Sequence, residues 1–104
     1  RVLSTSAPAW LEELGVETVV GSVTSPEDVR RAVEGAGKIY HLAGRVSREP
    51  EDAHLMYELH VTGTRVLCEA ARDSRNHGCS LDVWFGTKST MCWMSSWWVF
   101  MWSD

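Results

Sequence analysis

The chain has 104 residues, 14 acidic against 10 basic side chains and a formal net charge of −4. This length allows one small domain with a core of its own. The acidic balance excludes an extended phosphate-binding surface, because nucleic-acid binding would need lysines and arginines to collect on one face. The expected partner is therefore a small molecule and not a nucleic acid.

The cysteines indicate the redox environment. Cys68, Cys79 and Cys92 are odd in number and lack a CxxC spacing, and the start of the chain does not resemble a signal peptide. These features predict a reduced, cytoplasmic setting with no metal site.

Strand and helix signals alternate along the first three quarters of the chain, which predicts an α/β protein built from βαβ units. Residues 1–6 are typical of a strand, and residues 8–14 of a short helix that ends at Gly15. Residues 16–23 are rich in β-branched side chains and predict a buried parallel strand.

The start of the second helix has a clear signature. Ser25 is a good N-cap, Pro26 suits the first helical position, and two acidic residues follow where the helix dipole favours them. Gly35 and Gly37 end this helix. Its predicted buried face consists of Val29, Ala32 and Val33.

A third strand, residues 38–42, stops at a small-residue turn, Ala43-Gly44, and a polar loop follows at residues 45–51. Open α/β sheets bind ligands beyond the carboxyl ends of such strands. From Asp52 to about Arg72, apolar residues recur at helical spacing, with Gly63 on the same face to permit close approach to the sheet. The apolar residues are Leu55, Met56, Leu59, Val66, Leu67 and Ala70.

Three segments occur in a characteristic order: Gly21-Ser22-Val23-Thr24-Ser25-Pro26, then His41-Leu42-Ala43-Gly44, then His60-Val61-Thr62-Gly63-Thr64 followed by Leu67-Cys68-Glu69-Ala70-Ala71. In this order and spacing, residues 1–74 resemble the extended short-chain dehydrogenase/reductases, the NAD(P)-dependent epimerase, dehydratase and dihydroflavonol-reductase-like group. The resemblance implies a doubly wound parallel sheet that binds NAD or NADP and, in the parent enzyme, a small-molecule substrate.

The resemblance also assigns an adenine-binding position. Ser22 stands where the family usually has an aspartate that contacts the adenine, and Val23 stands where the next residue packs on the same ring. The serine removes an anionic acceptor from this position. Thr5 and Ser6 lie where such folds choose between NAD and NADP, but neither an acidic residue nor an arginine occurs there.

Further positions follow from the same resemblance. Leu42, Ala43 and Gly44 match the segment that runs beside the adenosine ribose and the pyrophosphate, where small residues allow close backbone approach. His60 matches a position often held by asparagine, which steadies the sheet near the active site. Two alternatives stay open: His41 is either a structural residue at the strand end or a cofactor contact, and His60 has either a packing role or a chemical one.

Two family motifs do not occur in the sequence. There is no glycine-rich turn, and the chain is expected to begin at the second strand of the fold, so the sheet would be a partial Rossmann-like one without its first strand. That strand is central in the doubly wound order. Its loss is expected to leave two strand edges unpaired or to force the strands at Val2 and Ile39 to pair directly. Tyr40 and Tyr57 lack a lysine four residues later, so no catalytic residue is assigned.

The tail, residues 76–104, differs in composition from residues 1–75, and five of the six tryptophans fall between Trp84 and Trp102 without strand alternation. One hypothesis is a reading-frame shift near Arg75, because codons can be chosen for residues 76–85 that give a strand and a Ser/Thr-rich segment in a shifted frame. The other is that residues 91–102 dock on a membrane interface or a partner, since they are too few to span a bilayer.

Three functions are therefore considered. The first is a fragment of an NAD(P)-dependent oxidoreductase or epimerase-type enzyme that contributes the adenosine side of the dinucleotide site and is inactive alone. The second is a noncatalytic nucleotide-binding or interaction module whose Trp-rich tail docks on a membrane or a partner. The third is a frame-shifted product that folds poorly. Exposed strand edges and the Trp-rich tail are compatible with self-association.

Overall fold

The computed structural model describes residues 1–74, 80–83 and 99–102. These residues form one five-stranded sheet in the order β2-β1-β5-β3-β4. The pairs β1–β2 and β3–β4 are parallel, whereas β5 runs antiparallel to β1 and β3. The strands are β1 (Val2–Ser4), β2 (Thr18–Val20), β3 (Lys38–His41), β4 (Ser80–Val83) and β5 (Val99–Trp102).

The centre of the sheet corrects two expectations. The inner edges of β1 and β3 are neither unpaired nor paired with each other, because β5 lies between them, with Leu3 opposite Val99 and Tyr40 opposite Phe100. The Trp-rich segment thus supplies a strand although its sequence shows no strand alternation. Unpaired backbone groups in the middle of a sheet are costly, and an antiparallel strand satisfies them as well as a parallel one.

The frame-shift hypothesis concerns residues that lie mostly outside the described ones. Within the tail, Ser80–Val83 and Val99–Trp102 form strands in the sequence as it stands. The α/β class is confirmed, with a mixed sheet in place of a purely parallel one.

The described residues include four α-helices: α1 (Ala9–Glu13), α2 (Pro26–Val33), α3 (Ala53–Tyr57) and α4 (Thr64–Asp73). A 3₁₀ turn, Pro50–Asp52, precedes α3, and a π-helical segment, Glu58–Gly63, joins α3 to α4 without a break in helical backbone angles. The predicted long helix is therefore confirmed, but with a widened turn in its middle. Within the described ranges, no helix is long and apolar enough to cross a bilayer.

Helix α2 forms as its sequence predicts. The Ser25 hydroxyl accepts a hydrogen bond from the Asp28 backbone N–H at 3.4 Å, which caps one of the free amides of the first turn. Gly35 has a φ of 75°, a left-handed conformation that glycine adopts without steric cost. The predicted apolar face, Val29, Ala32 and Val33, is buried.

The core lies between the sheet and the pair α2 and α4. Ile39 of β3, Val29 of α2 and Leu67 of α4 are completely buried and belong to one cluster. Gly63 brings the helix against the loop after β2: a Cβ at this position would lie 2.9 Å from Val23 Cγ1. The close approach predicted at Gly63 therefore occurs, but against the loop after β2 and not against a strand of the sheet.

Two burial expectations are wrong. The segment 16–23 was expected to be a buried strand, but only Thr18–Val20 is a strand, and Val20 is 53% exposed. Among the described strands, β2 is at the edge of the sheet and pairs with β1 alone. Leu55, expected on the buried face of the long helix, is 48% exposed and lines a pocket.

Candidate functional site

A pocket of about 260 Å³ lies beyond the carboxyl ends of β1, β2 and β3. Its walls come from the ends of these strands, the segments that follow them, and one face of α3 with the start of the π-helical segment. Three residues assigned by resemblance, Ser22, Val23 and Ala43, line this pocket together. Leu42, Gly44 and His60 are not among its lining residues.

We call residues 21–24, which follow β2, the β2 loop. Asp28 holds this loop against α2. The Ser22 backbone N–H donates to Asp28 Oδ2 at 3.0 Å, and a Cβ on Gly21 would lie 2.5 Å from Asp28 Cγ. The Ser22 amide, followed by the Arg31 guanidinium, holds the pKa of Asp28 below its usual 3.8. The β2 loop is therefore fastened by an ionised carboxylate.

The Ser22 hydroxyl is engaged within its own loop. Ser22 Oγ accepts from the Thr24 backbone N–H at 3.2 Å and lies 2.8 Å from Thr24 Oγ1. Ser22 thus offers the pocket a hydroxyl and no carboxylate, while the Asp28 carboxylate is already bonded to Ser22 and Arg31.

We call residues 43–45, which follow β3, the β3 loop. His60 holds this loop against the π-helical segment. His60 Nε2 lies 3.2 Å from the Arg45 backbone nitrogen and 2.8 Å from the Arg45 carbonyl oxygen. A Cβ on Gly44 would lie 2.9 Å from His60 Cε1, so glycine leaves room for the ring. This geometry places His60 against the loop backbone and outside the pocket.

His41, at the end of β3, is 3% exposed. Its Nε2 lies 3.0 Å from Thr64 Oγ1, whose own hydroxyl donates to the His60 carbonyl at 2.6 Å. Because the single hydroxyl proton is used there, His41 Nε2 is the donor to Thr64. Burial, then the nearby His60, lowers the pKa of His41 below 6.5, which keeps the ring neutral. These contacts support the structural alternative for His41.

The wall formed by α3 and the π-helical segment contains residues that sequence reasoning did not assign to the site. His54 and Glu58 are four residues apart, as are Leu55 and Leu59, so both pairs lie on neighbouring positions of one helix face. Leu55 and Leu59 carried an apolar signal, but it indicated core. Periodicity offered no signal for Glu58, since a charged residue on a helix is ordinarily solvated.

Arg45 is the basic residue with a permanent charge in the pocket wall. It forms an ion pair with Asp52 at 2.9 Å, which joins the β3 loop to the 3₁₀ turn before α3. A hydrogen bond from Ser47, with a smaller contribution from Arg45, lowers the pKa of Asp52 below 3.8. No three metal-ligating side chains cluster within residues 1–74 or the two described strands of the tail.

The arrangement suits a flat, partly polar ring. Val23, Ala43, Leu55 and Leu59 provide apolar surface, and Ser4, Ser22 and Thr24 provide hydroxyls around it. Pockets of this composition bind small organic ligands and orient them through few polar groups.

Comparisons with known proteins identify a family. The model of the NAD dependent epimerase/dehydratase family matches residues 2–94, which extends beyond the residues 1–74 that carry the sequence resemblance. Sterol demethylase protein B of Methylococcus capsulatus is 36% identical over 64 residues. The aligned segment is 62% of this chain and 20% of that protein, so the chain spans about a fifth of the relative's length. No solved structure matches the chain significantly.

Proposed function

Because this chain belongs to the NAD-dependent epimerase/dehydratase family, we propose that its pocket binds the adenosine end of NAD or NADP as part of an oxidoreductase or epimerase-type enzyme. One observation carries the proposal: Ser22, Val23 and Ala43 converge on a single pocket at the carboxyl ends of the strands. This edge is where open α/β sheets bind nucleotides.

Each residue has a distinct part in the proposed site. Val23 is 5% exposed and packs against Gly63, so it presents a fixed apolar surface to the adenine ring. Ala43 is small enough for the ribose to approach the backbone. Leu42 and Gly44 flank it along the proposed path of the ribose and pyrophosphate, and His60 fixes this segment by holding the Arg45 backbone.

We assign no catalytic residue, and the chain alone is proposed to bind cofactor without turnover. The name of the matched relative indicates a sterol as one candidate substrate class for the parent enzyme. The described residues are assigned to the cofactor only, because every contact argued above lies at the proposed adenosine end of the site.

The alternative, a noncatalytic module that docks through residues 91–102, requires that segment to be accessible. Val99–Trp102 instead pair with β1 and β3 in the centre of the sheet. Residues 91–98 lie outside the described residues. The pairing of β5 favours the enzyme-fragment proposal over the docking module.

Titration of the purified chain with NADH and NADPH, followed by nicotinamide fluorescence and by amide exchange of residues 16–71, tests the proposal. Saturable binding with protection around Ser22 and Ala43 is expected. Ala43→Leu fills the pocket and is expected to weaken binding at least about tenfold, since apolar overpacking removes ligand space.

Ala53→Leu is the matched control, because Ala53 is exposed at the start of α3 and does not line the pocket. Equal affinities for the Ala43 and Ala53 variants, or no saturable binding by the unmodified chain, would overturn the proposal.

A further inference from the structure

Among the described residues that line the pocket, Glu58 is the single acidic one. Asp28 is nearby in sequence to Ser22 but is not a lining residue, and its oxygens bind the Ser22 amide and Arg31. Ser22 itself contributes a hydroxyl. Among the described residues, the anionic acceptor available to a ligand in this pocket therefore lies on the opposite wall.

Glu58 is placed to supply that acceptor. It is the first residue of the π-helical segment, and it lines the pocket beside Leu55 and Leu59. Its carboxylate has no hydrogen-bond or ion-pair partner within the described part of the chain. Widened π-helical turns are rare and occur frequently at functional sites, because they shift side chains relative to a regular helix.

Which purine such a carboxylate binds depends on the hydrogen-bonding group at position 6 of the purine ring. A 6-amino purine such as adenine presents an N–H donor at its exocyclic position, and an ionised carboxylate accepts only. A 6-oxo purine such as hypoxanthine presents an oxygen acceptor at the same position, which a carboxylate repels. Leu55 and Leu59 line the pocket beside Glu58 and offer apolar surface to the faces of such a ring.

We propose that Glu58 selects adenine over 6-oxo purines by accepting a hydrogen bond from the exocyclic amine, a specificity role carried by the helix wall and not by Ser22. This inference rests on the proposed function, because it requires the purine to occupy the pocket between Val23 and Leu55. It assigns the adenine selectivity of this chain to a different element from the one that the family resemblance indicates.

Calorimetric titration of the 104-residue chain with adenosine diphosphate and inosine diphosphate tests the assignment, since the two ligands share the ribose and both phosphates. The unmodified chain is expected to prefer adenosine diphosphate by about tenfold or more, as a charge-assisted hydrogen bond provides. Glu58→Gln is expected to reduce this ratio towards one, because the amide also donates to the 6-oxo group.

Glu69→Gln is the matched control: it removes the same charge from an exposed position on α4 outside the pocket, and the preference should persist. An equal preference in the unmodified chain and Glu58→Gln would overturn the role of Glu58 while leaving the nucleotide site intact. Binding of neither diphosphate would overturn the proposed nucleotide site, and the inference with it.

Discussion

The β2 loop and the β3 loop follow strands at the same edge of the sheet, but different chemistry holds them. Asp28 fastens the β2 loop through an ionised carboxylate that accepts the Ser22 amide. His60 fastens the β3 loop through an imidazole against the Arg45 backbone, and its carbonyl oxygen accepts from Thr64, which is bonded to the buried His41. Because different groups hold them, we expect that the two loops can be destabilised independently, by substitution and by pH.

The largest loss of stability is expected from a substitution that disrupts the packing of the β2 loop. Gly63→Val would place a Cβ 2.9 Å from Val23 Cγ1, with further atoms beyond it, so the loop or the helix must move. We expect the free energy of unfolding to fall by about 1–3 kcal/mol, as for other insertions into packed cores. Urea unfolding measures the loss.

Gly37→Val provides the control for this substitution. A Cβ on Gly37 meets no atom within 4 Å, so its unfolding free energy should change much less. Equal losses for the two variants would contradict the packing role of Gly63.

The next prediction concerns how the stability of the chain depends on pH. The pKa of His41 is lower in the folded chain than the 6.5 of an ordinary histidine, so the unfolded chain binds the proton first. Stability due to His41 is complete above about pH 6.5 and falls as the pH decreases, by at most about 1.4 kcal/mol per pH unit for one group. The lowered pKa of Asp28 means that its stabilisation persists until the pH falls below 3.8.

Thermal unfolding at pH 7.5 and pH 5.5 measures this difference. His41→Gln, which keeps a donor for Thr64 but does not titrate, should lose less stability between the two pH values than the unmodified chain. His54→Gln changes an exposed histidine and should keep the original dependence. A pH dependence that His41→Gln leaves unchanged would show that another group is responsible.

A smaller effect acts on the β2 loop through its helix. Ser25→Ala removes the cap of α2, and we expect a loss of about 1 kcal/mol in unfolding free energy. Because Asp28 lies in the capped turn, the Ser22 amide should exchange faster in this variant while the Arg45 amide is unaffected. Ser25→Asp restores a side-chain acceptor and should restore both quantities. Faster exchange at both amides would mean that the two loops are coupled.

The smallest expected loss of stability comes from a substitution in the β3 loop. A Cβ in Gly44→Ala would lie 2.9 Å from His60 Cε1, and the ring can shift by weakening its contacts to Arg45. The expected cost is about 1 kcal/mol, at the low end for an added methyl group. A double-mutant cycle with His60→Ala measures the coupling, since the cost of Gly44→Ala should nearly vanish without the ring. Additive losses would show that His60 is not the obstacle.

The local elements of this chain were predictable because their signals lie within a few residues of one another. Ser25 and Pro26 mark the start of α2, and the repeat of apolar residues marks the helix from Ala53 to Asp73. The end of β3 followed by Ala43 predicts a ligand site at this edge of the sheet, and the structure has a pocket there. Each of these predictions depends on spacing along the chain, which secondary structure obeys directly.

The pocket was predictable only in part. Ser22, Val23 and Ala43 were assigned from short motifs, and the structure brings these three together. Glu58 and His54 were not assigned, because a charged residue on a helix carries no sequence signal for the surface that it faces. No sequence signal indicates the hydrogen bond between Asp28 and the Ser22 amide, since Asp28 has the position of an ordinary acidic residue in the first turn of a helix.

Local sequence signals suffice to predict the α/β class, the capped and apolar-faced helices, the strand that ends at the pocket edge and the membership in the NAD-dependent epimerase/dehydratase family. The tertiary structure, by contrast, places Val99–Trp102 in the centre of the sheet, puts β2 at the edge of the described strands, and sets α3 opposite the β2 loop across a pocket. The physical reason is that helices and strands follow from hydrogen bonds and burial among neighbours in sequence. Sheet order and pocket walls instead depend on which distant backbone groups satisfy one another once the chain has closed its loops.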